Sequence, residues 1–501
     1  MNLGDGIMKR IDRVMMINTF VLAVTWTICI IFGGLGVGLV LGVCAYLGCI
    51  LVYGKELGRK QSKNEKWLLV SIGLTTLCFL LFSNQVLRVF NVLFLIGLLL
   101  IHAIEYFGRS DYKIFLPEWC KDVISLGITL PFGKLDRPVV LIKEEVGVGK
   151  REKIKVVGKV FVGILLAFPI LLVVVGLLAS SDAAFEEIVD VLLRSFFSID
   201  LSWFLVRGFS VVILFFMLFS YFYGLIHSDE EIAITNDVLE VHTSEKKGLD
   251  FIIVATITTL LCFIYLIFFL SQSVYFVSAF GGVLPEGFDF ASEYARRGFF
   301  ETLPLAGFNL IVICILGRGT DFLGSLKKKY YAKGIICFIT AFTLFMIVCA
   351  LAKMVMYMQR FGLTMKRVQV AWFLCVIVIT VIFVFIKLFV EKFTFIRNLF
   401  IAFTVMYLGF NYANVDYIVS SYNVRLYRTG VTDDLSGCYD LGPAAMIPIS
   451  KMIEEDKGLL QDDEIYNLVQ GFKREANIDR WQWWNVTDHK VCNILEDLMK
   501  E

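Results

Sequence analysis

The chain has 501 residues, of which 58% are hydrophobic and only 19% are charged. Soluble globular proteins are nearer half apolar and a quarter charged, so this composition excludes an ordinary soluble domain and indicates an integral membrane protein. The formal net charge of +1 says nothing about nucleic acid, but the sequence contains neither a basic stripe nor a base-stacking aromatic module, so we expect no nucleic acid partner.

Apolar runs long enough to cross a bilayer, roughly twenty residues each, recur along the first 411 residues. They predict an all-α integral membrane fold, a bundle of about eleven transmembrane helices. The predicted spans are 14–32, 35–54, 67–83, 89–104, 159–179, 202–226, 251–271, 299–317, 334–352, 370–390 and 395–411. The first two are joined by 33-GGLG-36, which predicts a tight hairpin.

The connecting segments indicate the orientation in the membrane. Lys and Arg are concentrated in 1–13, 55–66, 105–158 and 318–333, whereas 180–201 is acidic. The positive-inside rule therefore places the N-terminus in the cytoplasm and, after an odd number of crossings, the C-terminus outside. One segment disagrees: 353–369 is basic although it falls on the outer side.

The composition changes after the last apolar run. We predict a polytopic transmembrane domain at 1–411, which includes a cytoplasmic segment at 105–158, and a C-terminal, mainly helical polar domain at 412–501. Within the cytoplasmic segment, 138-PVVLIKEEVGV-148 suggests a strand. Cys438 and Cys492 both lie in the polar region, and whether they pair is left open.

Charged side chains cluster where 293-EYARRGFFETLPLAGFNLIVICIL-316 enters a predicted span. On a helix, Glu293 lies four residues before Arg297, and Arg297 lies four before Glu301, so the three share one face with Arg296 beside it. Charges this near a membrane normally face a partner or a wet cavity. A salt-bridge ladder that caps the helix is the main alternative to a ligand site.

Two further polar stretches are assigned to the same side of the membrane. The segment 353–373 carries Arg360 and Arg367, and the segment 411-NYANVDYIVSSYNVRLYRTG-430 holds a dense polar set. We predict that the three stretches converge on one ligand or partner face, although helix-to-domain docking would need similar chemistry. The candidate face comprises Glu293, Arg296, Arg297, Glu301, Arg360, Arg367, Asn411, Asn414, Asp416, Asn423 and Arg425.

The sequence contains no complete catalytic or cofactor motif, and we predict neither a metal nor a cofactor. The sequence 147-GVGKR-151 departs from a phosphate loop because Glu144 stands where glycine is required and Arg151 follows the lysine. His102 and Glu105 have a spacing that suits a metal, but no second ligand pair is visible.

The successive motifs 181-SDAAF-185, EYARRGFF, YMQRFGLTMKR, NVDYIVSSYNVRLYR and 481-WQWWN-485 resemble a bacterial family of polytopic membrane proteins. That family is described as a domain of unknown function, of the 4173 and 4153 types. The resemblance covers most of the chain from about residue 70 onward. It implies a multi-spanning bacterial membrane protein and supplies no activity, substrate or catalytic residue.

Three functional hypotheses follow. The first is a membrane sensor, scaffold or partner protein in the bacterial cytoplasmic membrane, whose polar extracytoplasmic face binds a small ligand or a protein. The second is a transporter of a small molecule or lipid, with Glu301, Asn309 and Lys353 along its path. The third is an intramembrane enzyme acting on a lipid-linked substrate. The sequence favours the first and argues against an enzyme, because carboxylates beside arginines tend to stay ionised.

Overall fold

The structure is a computed structural model, and it describes most of the chain. The described residues are 3–59, 63–108, 130–145, 173–197, 200–227, 251–281, 291–316, 326–390, 392–432, 435–476 and 480–500, with a few isolated positions between 123 and 171. Every regular element within these ranges is helical. The all-α class is therefore confirmed for the described residues.

The chain divides into two compact units. The first unit comprises Met1–Leu81, Arg88–Val238 and Ile478–Val486, and the second comprises Phe82–Leu87, Leu239–Asn477 and Thr487–Glu501. This division does not test the predicted boundary between residues 411 and 412, which stays a prediction.

The first unit begins with a helical hairpin and includes a short segment near the C-terminus. A π-helical turn, Thr27–Ile31, extends the first helix, a single turn lies at Leu130–Gly133, and a 3₁₀ turn lies at Trp481–Trp483. The α-helices are α1 (Leu3–Trp26), α2 (Val37–Glu56), α3 (Lys63–Leu81), α4 (Gln85–Phe107, whose first turn belongs to the second unit), α5 (Arg137–Glu145), α6 (Ala183–Phe197) and α7 (Asp200–His227).

The predicted tight turn between α1 and α2 is present, and the tryptophan-rich motif lies against it. The backbone N–H of Val37 donates to the carbonyl of Trp484 at 3.2 Å, and the guanidinium of Arg480 donates to the carbonyl of Phe32 at 2.8 Å. A Cβ atom on Gly34 would lie 2.6 Å from the Trp483 ring. Glycine in this turn therefore allows the close approach of the indole.

The second unit contains the remaining helices. In chain order they are α8 (Phe251–Gly281), α9 (Ala291–Cys314), α10 (Leu326–Phe361), α11 (Met365–Phe389), α12 (Phe395–Tyr412), α13 (Val415–Arg428), α14 (Met446–Glu455), α15 (Asp463–Ala476) and α16 (Val486–Lys500). Pro443 sits at the start of a 3₁₀ turn that leads into α14. The helices α13 to α16 enclose one apolar core, in which Val419, Ala445 and Ile449 are fully buried.

Seven described helices are long and apolar enough to cross a membrane. They are Arg10–Ile31, Val37–Glu56, Gln85–Phe107, Trp203–His227, Phe251–Ser271, Lys327–Gln359 and Met365–Phe389. These seven match seven of the predicted spans, so a multi-pass membrane protein is confirmed. Eleven spans are not confirmed: Phe300–Cys314 is a shorter apolar helix, and most of 159–179 lies outside the described residues.

One local prediction was wrong. The stretch suggested as a strand, 138–148, is helical from Arg137 to Glu145, and the residues after it lie outside the description. Pro138 explains the error, because proline is favoured in the first turn of a helix, where its missing N–H costs nothing. The β-branched residues in this stretch favour a strand only weakly, and this start of a helix outweighs them.

Candidate functional site

The strongest candidate site is a polar cleft beside a buried carboxyl group in the second unit. The cleft has a volume of about 380 Å³ and combines side chains of four segments that are distant in sequence. Its lining includes Asn84, Gln85, Val86, Met365, Lys366, Gln369, Tyr439, Asp440, Leu441, Gly442 and Glu475. Both charge signs and three side-chain amides (Asn84, Gln85 and Gln369) are present, so the cleft suits a small polar ligand better than an apolar one.

Asp416 lies behind the wall of this cleft, in contact with the lining residues Asn84 and Gly442. Asn414 adopts a left-handed backbone, with φ of 51°, and turns the chain from α12 into α13. The turn places Asp416 in the first helical turn of α13, where the partial positive charge of a helix N-terminus favours a carboxylate. Only 4% of Asp416 is exposed, so the local structure buries this carboxyl group almost completely.

Two donors hold the Asp416 carboxyl group. The side-chain amide of Asn84 donates to Oδ1 at 2.7 Å, and the backbone N–H of Gly442 also donates to the carboxyl group. A Cβ atom on Gly442 would lie 2.8 Å from Oδ2 of Asp416 and 3.0 Å from Cα of Asn84. Only glycine fits here without a shift of the backbone, which explains its position at the cleft wall.

Asn84 connects the cleft to the start of a membrane span. Its side-chain oxygen accepts a hydrogen bond from the backbone N–H of Leu87 at 2.8 Å, so it caps the N-terminus of α4. Its amide nitrogen is thereby aimed at Asp416, 332 positions later in the chain. One side chain thus fixes the start of a helix and holds the buried carboxyl group behind the cleft wall.

Two acidic groups at the cleft have a raised pKa, for different reasons. Burial raises the pKa of Asp416, and the hydrogen bonds from Asn84 and Gly442 only partly oppose this shift. The pKa of Glu475 is also raised, first by burial and then by the negative charges of Asp416 and Asp488. The local potential is therefore negative, which favours a positively charged ligand.

The rim carries an exposed ion pair. Nζ of Lys366 lies 3.2 Å from Oδ2 of Asp440, and both side chains are more than two-thirds exposed. Such pairs contribute little to stability because water and salt screen them. The pair is therefore easily rearranged by a ligand in the cleft.

Asn423 has a structural role beside the cleft. Its side-chain oxygen accepts from the backbone N–H of Leu363 at 3.0 Å, and its amide nitrogen donates to the carbonyl of Leu363 at 2.8 Å. Glycines at 362 and 437 flank it, and a Cβ atom on either would lie within 2.8 Å of the amide. The amide thereby ties the turn before α11 to α13.

Arg367 is also used inside the protein. Its guanidinium donates to the carbonyls of Phe361 and Gly362 at 2.8 and 2.7 Å, and to the hydroxyl of Tyr357 at 2.9 Å. These contacts satisfy carbonyl groups at the C-terminus of α10, as a basic side chain commonly does. The motif YMQRFGLTMKR therefore forms a helix-to-helix turn.

The other predicted site residues are placed as follows. Asn411 is buried and donates to the carbonyl of Tyr407 at 2.9 Å, whereas Arg425 and Glu301 are exposed. The helix α9 begins at Ala291, so the charged ladder does lie on one continuous helix. The side chains of Glu293, Arg296, Arg297 and Arg360 lie outside the described residues. The second unit thus brings Asp416, Asn423 and Arg367 to neighbouring helices, and convergence with the ladder stays a prediction.

Asn84, Gly442 and Glu475 were missed by the sequence reasoning. A signal for Asn84 exists, because 83-SN-84 stands between two apolar runs directly before a helix. Gly442 and Glu475 carry no local signal of a site. Their role depends on contacts between segments that are far apart in the chain.

The described cysteines are free thiols. Cys492 is a free thiol that donates to the carbonyl of Ala476 at 2.9 Å, so no disulfide joins it to Cys438. His102 is buried and stacks on Tyr106. In the described part of the chain no group of three His, Cys, Asp or Glu side chains is close enough to hold a metal ion. The sequence 147–151 lies outside the description.

Comparison with known proteins gives a family and no activity. The model of DUF4153, a domain of unknown function, matches residues 69–452, which is more than half of the chain. No curated protein and no solved structure matches the chain. The match confirms the resemblance predicted from the successive motifs. With seven helices among the described residues that are long and apolar enough to cross a membrane, the chain is a multi-pass membrane protein that belongs to the DUF4153 family.

Proposed function

We propose that the protein is a membrane sensor or partner protein whose polar cleft binds a small organic cation, such as an amine. The observation that carries the proposal is the buried Asp416 carboxyl group beside an open polar cleft of about 380 Å³. The negative charges that raise the pKa of Glu475 would act equally on a bound ammonium group, and would attract it. Gln369 and Asn84 supply amide groups for the polar remainder of the ligand.

Two arguments support an extracytoplasmic position for this cleft. The basic N-terminal flank indicates a cytoplasmic N-terminus in a bacterial cytoplasmic membrane, which puts the α1–α2 turn outside. Contacts from Val37 and Phe32 to the segment 480–486 support an extracytoplasmic position for that segment as well. Because α16 begins at Val486, the last helix of the C-terminal core then starts outside the cell.

Reporters that depend on the compartment test this orientation. Fusions after residues 330 and 501 should report a cytoplasmic and an extracytoplasmic position, respectively. A cytoplasmic report at 501 would contradict the proposed orientation and would direct the search for partners to the cytoplasm.

Binding is tested on the purified full chain in detergent micelles. Small primary and quaternary ammonium compounds are titrated by calorimetry, with acetate and glucose as anionic and neutral counterparts. The ammonium compounds should bind the wild type, and Glu475→Gln should weaken them. Glu454→Gln removes the same charge from an exposed position on α14 that does not line the cleft, so it should leave binding unchanged.

Two outcomes would reject the proposal in different ways. Equal binding of acetate and ammonium compounds, or an equal loss in Glu475→Gln and Glu454→Gln, would rule out the cleft as a cation site. Uptake of the bound cation into proteoliposomes would instead favour the transporter hypothesis over a sensor.

A further inference from the structure

A second cavity lies between two of the membrane-spanning helices. It is an open groove of about 630 Å³ between the first turns of α8 and α10, both in the second unit. Phe251, Ile252 and Leu260 form its apolar wall, and Lys327 and Lys328 stand at its end. The groove therefore has an apolar length and a cationic end.

The apolar wall belongs to a surface that faces lipid. The span Phe251–Ser271 on α8 is less buried than the span on α10. Its residues Ile252 and Leu260 are 72% and 60% exposed. Exposed isoleucine and leucine on a membrane-spanning helix contact hydrocarbon chains. The groove is thus continuous with the surface that the bilayer covers.

The lysines occupy an unfavourable place for helix stability. The first turn of α10 has no acidic residue and carries Lys327, Lys328 and Lys329, although the positive end of a helix dipole disfavours cations. Nζ of Lys328 lies 5.2 Å from the centroid of the Phe251 ring, which holds it beside the groove. An anion here would gain from the lysines and from the helix N-terminus together.

Hydroxyl groups complete the polar end. The hydroxyl of Tyr331 donates to the carbonyl of Ala255 at 3.1 Å and forms a hydrogen bond with the hydroxyl of Thr259. These bonds fix α8 against α10 one to two turns inside the lysines. The floor of the groove is therefore held in place, while the lysine end stays open.

We propose that this groove binds an anionic phospholipid of the surrounding bilayer. The phosphate lies between Lys327 and Lys328, at the start of the span Lys327–Gln359, where lipid headgroups lie. One acyl chain follows Ile252 and Leu260. Basic pockets between membrane helices are a known mode of anionic headgroup recognition, and the apolar wall distinguishes a lipid from free phosphate.

The test counts lipids bound to the purified full chain by native mass spectrometry. The protein is incubated with phosphatidylglycerol or phosphatidylcholine in micelles, with and without millimolar inorganic phosphate. The wild type should retain phosphatidylglycerol selectively, and phosphate should not displace it. Lys327→Gln with Lys328→Gln should weaken the lipid roughly 30-fold, from the known contribution of each lysine near an anionic lipid surface.

Two further variants separate this proposal from simpler explanations. Lys451→Gln with Lys490→Gln removes two exposed lysines elsewhere in the second unit, and should leave lipid binding unchanged. Leu260→Trp fills the groove without changing its charge, and should also release the lipid. Equal retention of both lipids, or retention of phosphatidylglycerol by the lysine double variant or by Leu260→Trp, would overturn the proposal. Helix content measured by circular dichroism confirms that each variant is folded.

Discussion

Two buried polar side chains of the second unit, Asp416 and Asn309, make similar hydrogen bonds in different surroundings. Both are at most 4% exposed, and both hydrogen-bond to partners from other helices. Asn309 lies on the apolar part of α9, donates to the hydroxyl of Thr343 at 2.8 Å, and accepts from the hydroxyl of Tyr265. It thereby joins α9 to α10 and α8 within the helix bundle.

The difference between them is in what surrounds the hydrogen bonds. Asn309 is neutral and is enclosed by hydroxyl groups and apolar residues, of which Phe342 stacks on Tyr265 with ring centroids 4.2 Å apart. Asp416 is ionisable, and the glycine that donates to it forms the wall of an open cleft. Burial alone therefore does not distinguish the two side chains; an ionisable group beside a cavity is the stronger candidate for a functional role.

Among the changes that test this comparison, replacing Asn84 should lower the stability of the protein most. Asn84→Leu removes the cap of α4 and leaves the buried Asp416 carboxyl group without one of its donors. A lost cap costs about 1 kcal/mol and a lost hydrogen bond to a charged group about 1.5–3 kcal/mol, so the free energy of unfolding should fall by roughly 3 kcal/mol. Thermal unfolding in detergent measures the loss.

Asn84→Asp is the matched control for that variant. It keeps a capping oxygen for Leu87 but faces Asp416 with a second carboxyl group. It should be less stable than the wild type at neutral pH and should recover on acidification, when one carboxyl group is protonated and donates to the other. If Asn84→Leu were as stable as the wild type, the hydrogen bond between Asn84 and Asp416 would make no contribution to stability.

The next largest expected effect is the change in stability with pH that Asp416 causes. The native pKa of Asp416 is raised above its ordinary value of 3.8. Between 3.8 and the native pKa, the native state binds more protons than the unfolded state, so stability falls as pH rises through this interval. Asp416→Asn should remove that part of the slope, as measured by unfolding at a series of pH values. An unchanged slope would place the titration elsewhere, with Glu475 as the next group to test.

The sequence predicted what depends on local pattern and failed where distant segments meet. Seven spans, the hairpin at 33–36 and the helical C-terminal region follow from hydropathy and spacing alone. Asp416 and Asn423 are noticeable because polar residues are dense there. Their partners, Asn84 and the backbone of Leu363, cannot be read from spacing, because hydrogen bonds across 332 and 60 positions depend on the packing of the bundle.

The interpretation of the arginines shows the same limit. Charged residues at the edge of a membrane helix are compatible with a ligand face and with a structural contact. Arg367 donates to two carbonyls and to Tyr357, so three of its hydrogen bonds are internal. The number of donors on a side chain is visible in a sequence, but the acceptors that use them are not.

Asn309→Leu should separate structural from functional burial. Interhelical hydrogen bonds inside membranes average about 0.6 kcal/mol, so the loss of two should lower the free energy of unfolding by about 1 kcal/mol. Binding of ammonium compounds at the cleft should be unchanged. A loss of cation binding in Asn309→Leu, at unchanged helix content, would link the bundle to the cleft and would contradict the distinction drawn between the two side chains.

Lys366→Gln should have the smallest effect on stability and an informative effect on binding. The Lys366–Asp440 pair is exposed, so its removal should leave the unfolding transition within experimental error of the wild type. The same change removes a positive charge from the cleft and releases Asp440 for a ligand. Ammonium compounds should therefore bind this variant more tightly than the wild type. The gain in affinity should be smaller at high salt, because salt screens exposed charges. Weaker binding would mean that Lys366 contacts the ligand directly, and the ligand would then carry an anionic group.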